Sequence, residues 1–411
     1  MEIEPGDYVE VKSKKGVFRG VLMPKHEFSG ERIIILKLDN GYNIGIIPES
    51  IKLIKKGERK EKKRMMKNFR EELPTISVIG TGGTIASYVD YKTGAVHPAL
   101  TAEELVFSIP EIEEKANIRA SILFNVLSED MRPEYWTRLA RKVKNELAKS
   151  EGVVIPHGTD TMSYTSAALS FMFPKLSGPV VLVGAQRSSD RPSSDAYMNL
   201  LAAIRVAKSE LGEVVVTMHA TTSDDYCHIH RGTRVRKMHT SRRDAFKSIN
   251  SKPLGEVRGE NIVFYDEFKG KDEETELMDK MDRKVIFIYY YPGLDEEKFE
   301  SMLEGMNGAI IMGTGLGHVG NHLIISLRNF IRDGGIVGMT SQCLYGRVNL
   351  NVYSTGRSLK KIGVIPLEDM LPEVAYVKLM WLLGNYDREE AAVLLPKNLR
   401  GEISSRRMIT W

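Results

Sequence analysis

Between Pro74 and Met218, runs of consecutive apolar residues alternate with stretches of helical periodicity. Thr75–Ile79, Gly152–Pro156, Pro179–Val183 and Glu213–Met218 are mostly apolar and do not alternate with polar positions. Such runs predict strands buried on both faces. Ser163–Phe173 and Asp195–Ser209 follow the 3.6-residue period of a helix between them. Strand–helix alternation of this kind predicts a parallel sheet covered on both sides. A second block repeats the texture. It has strands expected at Val285–Tyr290, Ala309–Met312 and Ile336–Thr340, and helices at Asn321–Arg332 and Pro372–Leu383.

The first 54 residues differ. Short β-rich runs at Tyr8–Lys12, Val17–Met23, Arg32–Leu38, Tyr42–Ile47 and Ile51–Ile54 predict five strands. Asp39-Asn40-Gly41 separates two of them, and Asn and Gly tolerate the positive φ of a hairpin turn. Five short strands in so short a segment predict an SH3-like barrel. The expected organisation is a barrel over 1–54, a basic linker over 55–73, an α/β domain over 74–260 and a second over 261–411. The polar stretch Asn250–Asp282 is expected to carry the domain connection.

Charge adds one feature to this picture. The 411-residue chain has a net charge of +4, but residues 55–67 alone carry eight basic and two acidic side chains. The remainder is therefore slightly acidic, and the chain has one basic segment rather than a basic surface. That segment is a solvated linker or a surface for RNA or a partner. Apolar residues at 42% and charged residues at 27% exclude a disordered chain. No apolar run reaches membrane-spanning length, and the acidic N-terminal stretch lacks the features of a signal peptide. A cytoplasmic location is expected. Cys227 and Cys343 are the only cysteines, which excludes a disulfide scaffold. The two glutamines beside abundant Lys and Glu lean toward a thermophile.

Two strand ends carry candidate chemistry. The first is Gly80-Thr81-Gly82-Gly83-Thr84-Ile85. Its glycines let backbone N–H groups approach a ligand and stabilise an oxyanion, and Thr84 can present a hydroxyl. The second is His157-Gly158-Thr159-Asp160-Thr161. A threonine nucleophile needs a base or a proton relay. Asp160 can hold charge, and Lys237, beyond the Glu213–Met218 strand, can serve as the base. Catalytic groups in open α/β sheets lie beyond the carboxyl ends of the strands, where both motifs fall.

Two other patterns carry less. Gly315-Leu316-Gly317-His318-Val319-Gly320 has the spacing of a dinucleotide fingerprint, but Ile336–Thr340 lacks the acidic residue that would bind the ribose. A tight turn is expected there. Cys227-His228-Ile229-His230 has no second ligand cluster at metal-site spacing, so no metal is expected.

Thr81–Ala86 (TGGTIA) and His157–Met162 (HGTDTM) resemble the two signatures of the L-asparaginase/glutaminase family. The resemblance covers about residues 74–411. It implies an asparaginase-like core of two α/β domains and an active site between the subunits of a homodimer. It implies that Thr84 is the acylated nucleophile and that Thr159, Asp160 and Lys237 form the second catalytic cluster. Ser128 would hold the substrate α-carboxylate and Asp160 its α-amino group. Glu129, also expected near the substrate, stands where many members have glutamine. The family's mobile-loop tyrosine matches Tyr88 or Tyr91, in a loop expected within Ser87–His97.

With the added barrel and basic segment, the chain resembles the D subunits of archaeal glutamyl-tRNA(Gln) amidotransferases. That resemblance implies a glutaminase that supplies ammonia to an E subunit within a heterotetramer. The E subunit would bind tRNA and use ATP and Mg to amidate the glutamyl group. No cofactor or metal is expected in this chain itself. The rival expectations are a free-standing L-asparaginase, against which the first 72 residues weigh, and an RNA-binding protein.

Overall fold

The computed structural model describes residues 3–4, 6–23, 33–38, 43–56, 69–82, 87–89, 96–98, 110–187 and 194–405. Thr84, Tyr91, the Asp39–Gly41 turn and most of the basic segment lie outside them.

The N-terminal module consists of β1 (Tyr8–Ser13), β2 (Gly16–Met23), β3 (Ile34–Leu38), β4 (Asn43–Ile46) and β5 (Ser50–Lys55). They form one antiparallel sheet in the order β4-β3-β2-β1-β5. Val9, Val11, Leu22, Leu36 and Ile46 fill its interior. Gly20 is required by packing: a Cβ there would lie 2.1 Å from the Lys37 carbonyl oxygen on the neighbouring strand. The expected small antiparallel β domain is therefore present, and β5 extends one residue into the expected linker.

The core begins with β6 (Thr75–Gly82) and the short antiparallel pair β7 (Ser87–Val89) and β8 (Val96–Pro98). It continues through β9 (Asn117–Val126), β10 (Gly152–Pro156), β11 (Val180–Val183), β12 (Val214–His219) and β13 (Cys227–Arg231). A small hairpin follows, β14 (Val235–Lys237) and β15 (Phe246–Ser248), and then β16 (Gly255–Arg258) and β17 (Asn261–Phe264). The large sheet has the order β17-β16-β13-β12-β11-β10-β6-β9. It is parallel from β9 to β12 and antiparallel from β12 to β17. The second sheet, β18 (Val285–Tyr289), β19 (Gly308–Gly313), β20 (Ile336–Ser341) and β21 (Ile365–Pro366), is parallel throughout.

The hairpin β16–β17 turns at Gly259, whose φ of 56° favours glycine, and it crosses residue 260. A boundary at 260 would divide a paired hairpin. We therefore place the division after Phe264, in the segment before β18.

One hydrophobic cluster spans both α/β blocks. The helix Met162–Met172, with ten of its eleven residues buried, packs against the helix Pro372–Asn385. Phe171 stacks on Trp381 with ring centroids 5.8 Å apart. Complete burial of a side chain such as Phe171 is worth about 1.5–3 kcal/mol. The first turn of Met162–Met172 follows directly on Thr159–Thr161, so this interdomain packing fixes the backbone that carries the second motif. Among the described residues, no helix is long and apolar enough to cross a membrane.

Candidate active site

β6 and β10 are neighbours, and their carboxyl ends bring the two motifs together. The buried Thr81 hydroxyl donates to the Pro156 carbonyl at 2.8 Å, which ties the ends to each other. Gly82 has φ 103°, and a Cβ on it would lie 2.5 Å from the Val126 carbonyl oxygen. Only glycine satisfies both constraints. The chain then enters Gly83–Ala86, so the expected nucleophile Thr84 lies outside the described residues.

The second motif is built around three side chains from two elements. Lys237, at the end of β14, reaches across to the loop after β10. Its Nζ donates to Thr159 Oγ1 at 2.9 Å and to Asp160 Oδ1 at 2.6 Å. Thr159 is buried, Lys237 is largely covered, and the Asp160 side chain is 67% exposed. The Lys237 nitrogen thus bridges an inner hydroxyl and an outer carboxylate. The arrangement can pass a proton between Lys237 and Thr159, and the exposed Asp160 carboxylate can face a cation.

Ser128 joins this group from the loop after β9. Its Oγ accepts the Asp160 N–H at 3.1 Å and lies 3.4 Å from the Thr161 nitrogen. Thr161 Oγ1 donates to the Ser128 carbonyl at 2.9 Å. Glu129, next to it, is exposed. Tyr88 falls in β7, paired with His97 of β8.

His157 opens the second motif and is fully buried. Its Nδ1 lies 2.7 Å from the Gly158 carbonyl oxygen, so Nδ1–H donates there. Burial pushes the imidazole down to about 4, against the smaller opposing pull of that hydrogen bond. The ring is therefore neutral at neutral pH.

The sequence matches three families in succession: the GatD N-terminal domain over residues 3–56, "Asparaginase, N-terminal" over 75–269, and the "Glutaminase/Asparaginase C-terminal domain" over 284–393. The D subunit of the glutamyl-tRNA(Gln) amidotransferase from Pyrococcus furiosus is 52% identical, with 98% of this chain and 95% of that one covered. Its counterpart from Pyrococcus abyssi is 52% identical over the same shares. This chain belongs to the family of glutamyl-tRNA(Gln) amidotransferase D subunits. Among solved structures, the thermostable L-asparaginase from Thermococcus kodakarensis aligns with a TM-score of 0.74 and 33% identity. The alignment covers 81% of this chain and all of that one.

The two weaker motifs are engaged in local contacts of their own. In the loop Gly315–Gly320, the Gly317 and His318 N–H groups both donate to the Thr314 carbonyl, at 2.9 and 3.0 Å. N–H groups that a phosphate would need are committed to the turn itself. In Cys227–His230, strand alternation puts Cys227 on one face and the two histidines on the other. The histidine rings meet edge to face at 5.5 Å, and His230 Nδ1 lies 2.8 Å from Ser248 Oγ. Among the described residues, no group of three His, Cys, Asp or Glu side chains could hold a metal ion.

Several parts of this D-subunit site are not legible in its motifs. β9, which brings Ser128 to the site, is half-buried or exposed along its length and has no apolar run longer than Ile122–Phe124. The helix Pro133–Leu147 carries a readable signal: Pro at its first position and Trp136, Leu139, Ala140, Val143 and Leu147 on one buried face.

Proposed function

We propose that this chain is the glutaminase subunit of a tRNA-dependent amidotransferase, with Thr84 as nucleophile. The observation that carries the reading is the pair of hydrogen bonds from Lys237 to Thr159 and Asp160 beside the glycine-rich end of β6. Thr84, two residues beyond Gly82, attacks the side-chain amide of glutamine. Thr159 takes the proton from the Thr84 hydroxyl as Lys237, acting as the neutral amine, accepts the proton of Thr159 and becomes the ammonium. The same relay run backward delivers a proton to the departing ammonia. Water then cleaves the glutamyl–Thr84 ester through the same groups and releases glutamate. Backbone N–H groups of the glycine-rich segment hold the oxyanion in both steps.

Substrate orientation falls to Asp160, whose open oxygen suits the α-ammonium, and to Ser128, beside it, for the α-carboxylate. Glu129 lies next to this pair. The ammonia is delivered to an E-type partner that binds glutamyl-tRNA and supplies the ATP and Mg chemistry. The functional particle is a homodimer of this chain within a heterotetramer, in the cytoplasm. The N-terminal barrel has no place in amide hydrolysis and weighs against a free-standing asparaginase.

The test is glutamine and asparagine hydrolysis by the chain alone, with its partner, and with partner and glutamyl-tRNA. Glutamine hydrolysis coupled to glutaminyl-tRNA formation is expected. Full glutaminase activity in a Thr84→Val protein would reject the nucleophile. Asparagine turnover indifferent to partner and tRNA would reject the amidotransferase reading.

A further inference from the structure

Thr159 and Lys237 belong to different elements, and a line of hydrogen bonds, buried at Asn199 and His219 and reaching the surface at Asp224, joins the supports of both. The line begins at Gly184, at the end of β11. A Cβ on Gly184 would lie 2.7 Å from Thr159 Cγ2 and 3.0 Å from the His157 carbonyl oxygen, so this backbone is seated directly against Thr159. The Gly184 carbonyl accepts Asn199 Nδ2 at 3.0 Å. Asn199 Nδ2 also donates to Asp195 Oδ2 at 3.1 Å. Two acceptors facing one end of the amide fix its orientation, and Oδ1 is left as the acceptor on the other side.

Asn199 Oδ1 faces His219 Nδ1 at 2.6 Å, with Cys227 Sγ 3.5 Å from the same oxygen. His219 must therefore donate from Nδ1. Its Nε2 lies 2.9 Å from Asp224 Oδ1, an oxygen that only accepts when ionised. The ring is fully buried and is held through both of its nitrogens. Asp224 Oδ1 also accepts Arg243 Nη1 at 2.9 Å. The His219 hydrogen bond, helped by the nearby Arg243 charge, holds the Asp224 carboxyl below its ordinary value against the opposing effect of desolvation. Arg243 sits in the loop that connects β14, which ends in Lys237, to β15. That loop is closed at its base by Met238 N–H donating to the Ala245 carbonyl at 2.6 Å.

We propose that Asn199, His219, Asp224 and Arg243 are positioning residues that set the Thr159–Lys237 distance, a role that rests on the proton relay proposed above. The chain clamps the β14–β15 loop to the backbone behind Thr159. Each link is directional, so the clamp transmits position, not only adhesion. Its outer half, Asp224 and Arg243, is separate from any group that touches substrate. Loss of the clamp lets Lys237 move relative to Thr159 while the substrate contacts at Ser128 and Asp160 remain.

The experiment measures glutamine hydrolysis by the chain with its partner and glutamyl-tRNA, for Asp224→Ala, Arg243→Ala, the double variant and Arg243→Lys. Misplacement by about 1 Å can cost on the order of 100-fold, so kcat should fall about 10- to 100-fold in each alanine variant, with KM unchanged. The double variant should be no slower than the worse single, because both break one line. Arg243→Lys, which keeps the charge on Asp224, should recover most of the rate. Asp224 is mostly exposed on its outer side, and melting curves of the variants should match the parent. Wild-type kcat in both alanine variants, or a rise in KM in place of the fall in kcat, would overturn the positioning role while leaving the relay standing. Wild-type turnover by Lys237→Ala would instead bring down the relay and this role with it.

Discussion

Ser128 leaves no room for a side chain on Gly158. A Cβ on Gly158 would lie 2.4 Å from Ser128 Oγ and 3.0 Å from Ser128 Cβ. This contact sets how closely the loop after β9 approaches the loop after β10. Gly158→Ala is expected to cost about 1–3 kcal/mol through overpacking, as judged by chemical denaturation. It should also raise KM for glutamine, because Ser128 must retreat. Adding Ser128→Ala should restore part of the stability but none of the affinity. Equal stability of Gly158→Ala and the parent protein would show that the approach is looser than described.

Lys237 and Asp160 should separate in kinetics. Positioned acid–base catalysis is typically worth about 10²–10⁴-fold, and Lys237→Ala should lose that much in kcat. On the proposed binding role, Asp160→Asn should chiefly raise KM, since it would remove the charge assigned to the substrate ammonium. Stopped assays of ammonium release over a range of glutamine concentrations would show the two patterns. A Lys237→Ala protein with an unaltered pH–rate profile would exclude the relay.

His157 gives stability a pH dependence with a definite sign. Its imidazole is held at about 4 in the folded protein by burial, below the ordinary value of 6.5. The unfolded chain therefore binds the proton more readily between those values. The neutral ring's contribution is fully present above pH 6.5 and is lost as pH falls toward 4. The full difference is on the order of 3 kcal/mol. Urea denaturation from about pH 7 to pH 4 should show the decline, and His157→Asn should flatten that part of it. A His157→Asn curve parallel to the parent would assign the decline to other groups.

Lys378 and Glu402 form an ion pair at 2.6 Å with both side chains fully buried. Glu402 also accepts the Leu399 and Arg400 N–H groups. Removal of one partner leaves a buried charge without compensation, which typically costs about 3–5 kcal/mol. Lys378→Met should show a loss of that size in denaturation experiments. A loss below about 1 kcal/mol would mean that the remaining backbone donors suffice for Glu402.

The legible and illegible parts of this chain differ by how their side chains are buried. β10, β11 and β12 are covered on both faces, so each reads as an apolar run whose ends fall within a residue or two of the strand's own. β13, β16 and β17 lie toward one edge, carry polar residues such as His228, Glu256 and Asn261, and escape that signal. Thr159, Asp160 and Lys237 stand out by their place near strand ends, yet nothing in their spacing shows that Lys237 Nζ sits between the other two. The Asn199–His219–Asp224–Arg243 line is invisible in sequence, because its members lie on separate segments and none belongs to a motif.

Arg234, three residues before Lys237, is held from far along the chain. Its guanidinium donates to the Gly401 carbonyl at 2.8 Å and to Ser404 Oγ at 2.7 Å, and the neighbouring Thr233 hydroxyl donates to the Arg400 carbonyl at 2.8 Å. Arg234 and Ser404 are 170 residues apart in sequence. Ribosomes add about 5–20 residues per second, so the segment leading into the lysine hairpin waits on the order of ten seconds for its anchors to be made. The hairpin that carries Lys237 thus reaches its anchored form only after residues 400–404 have been made.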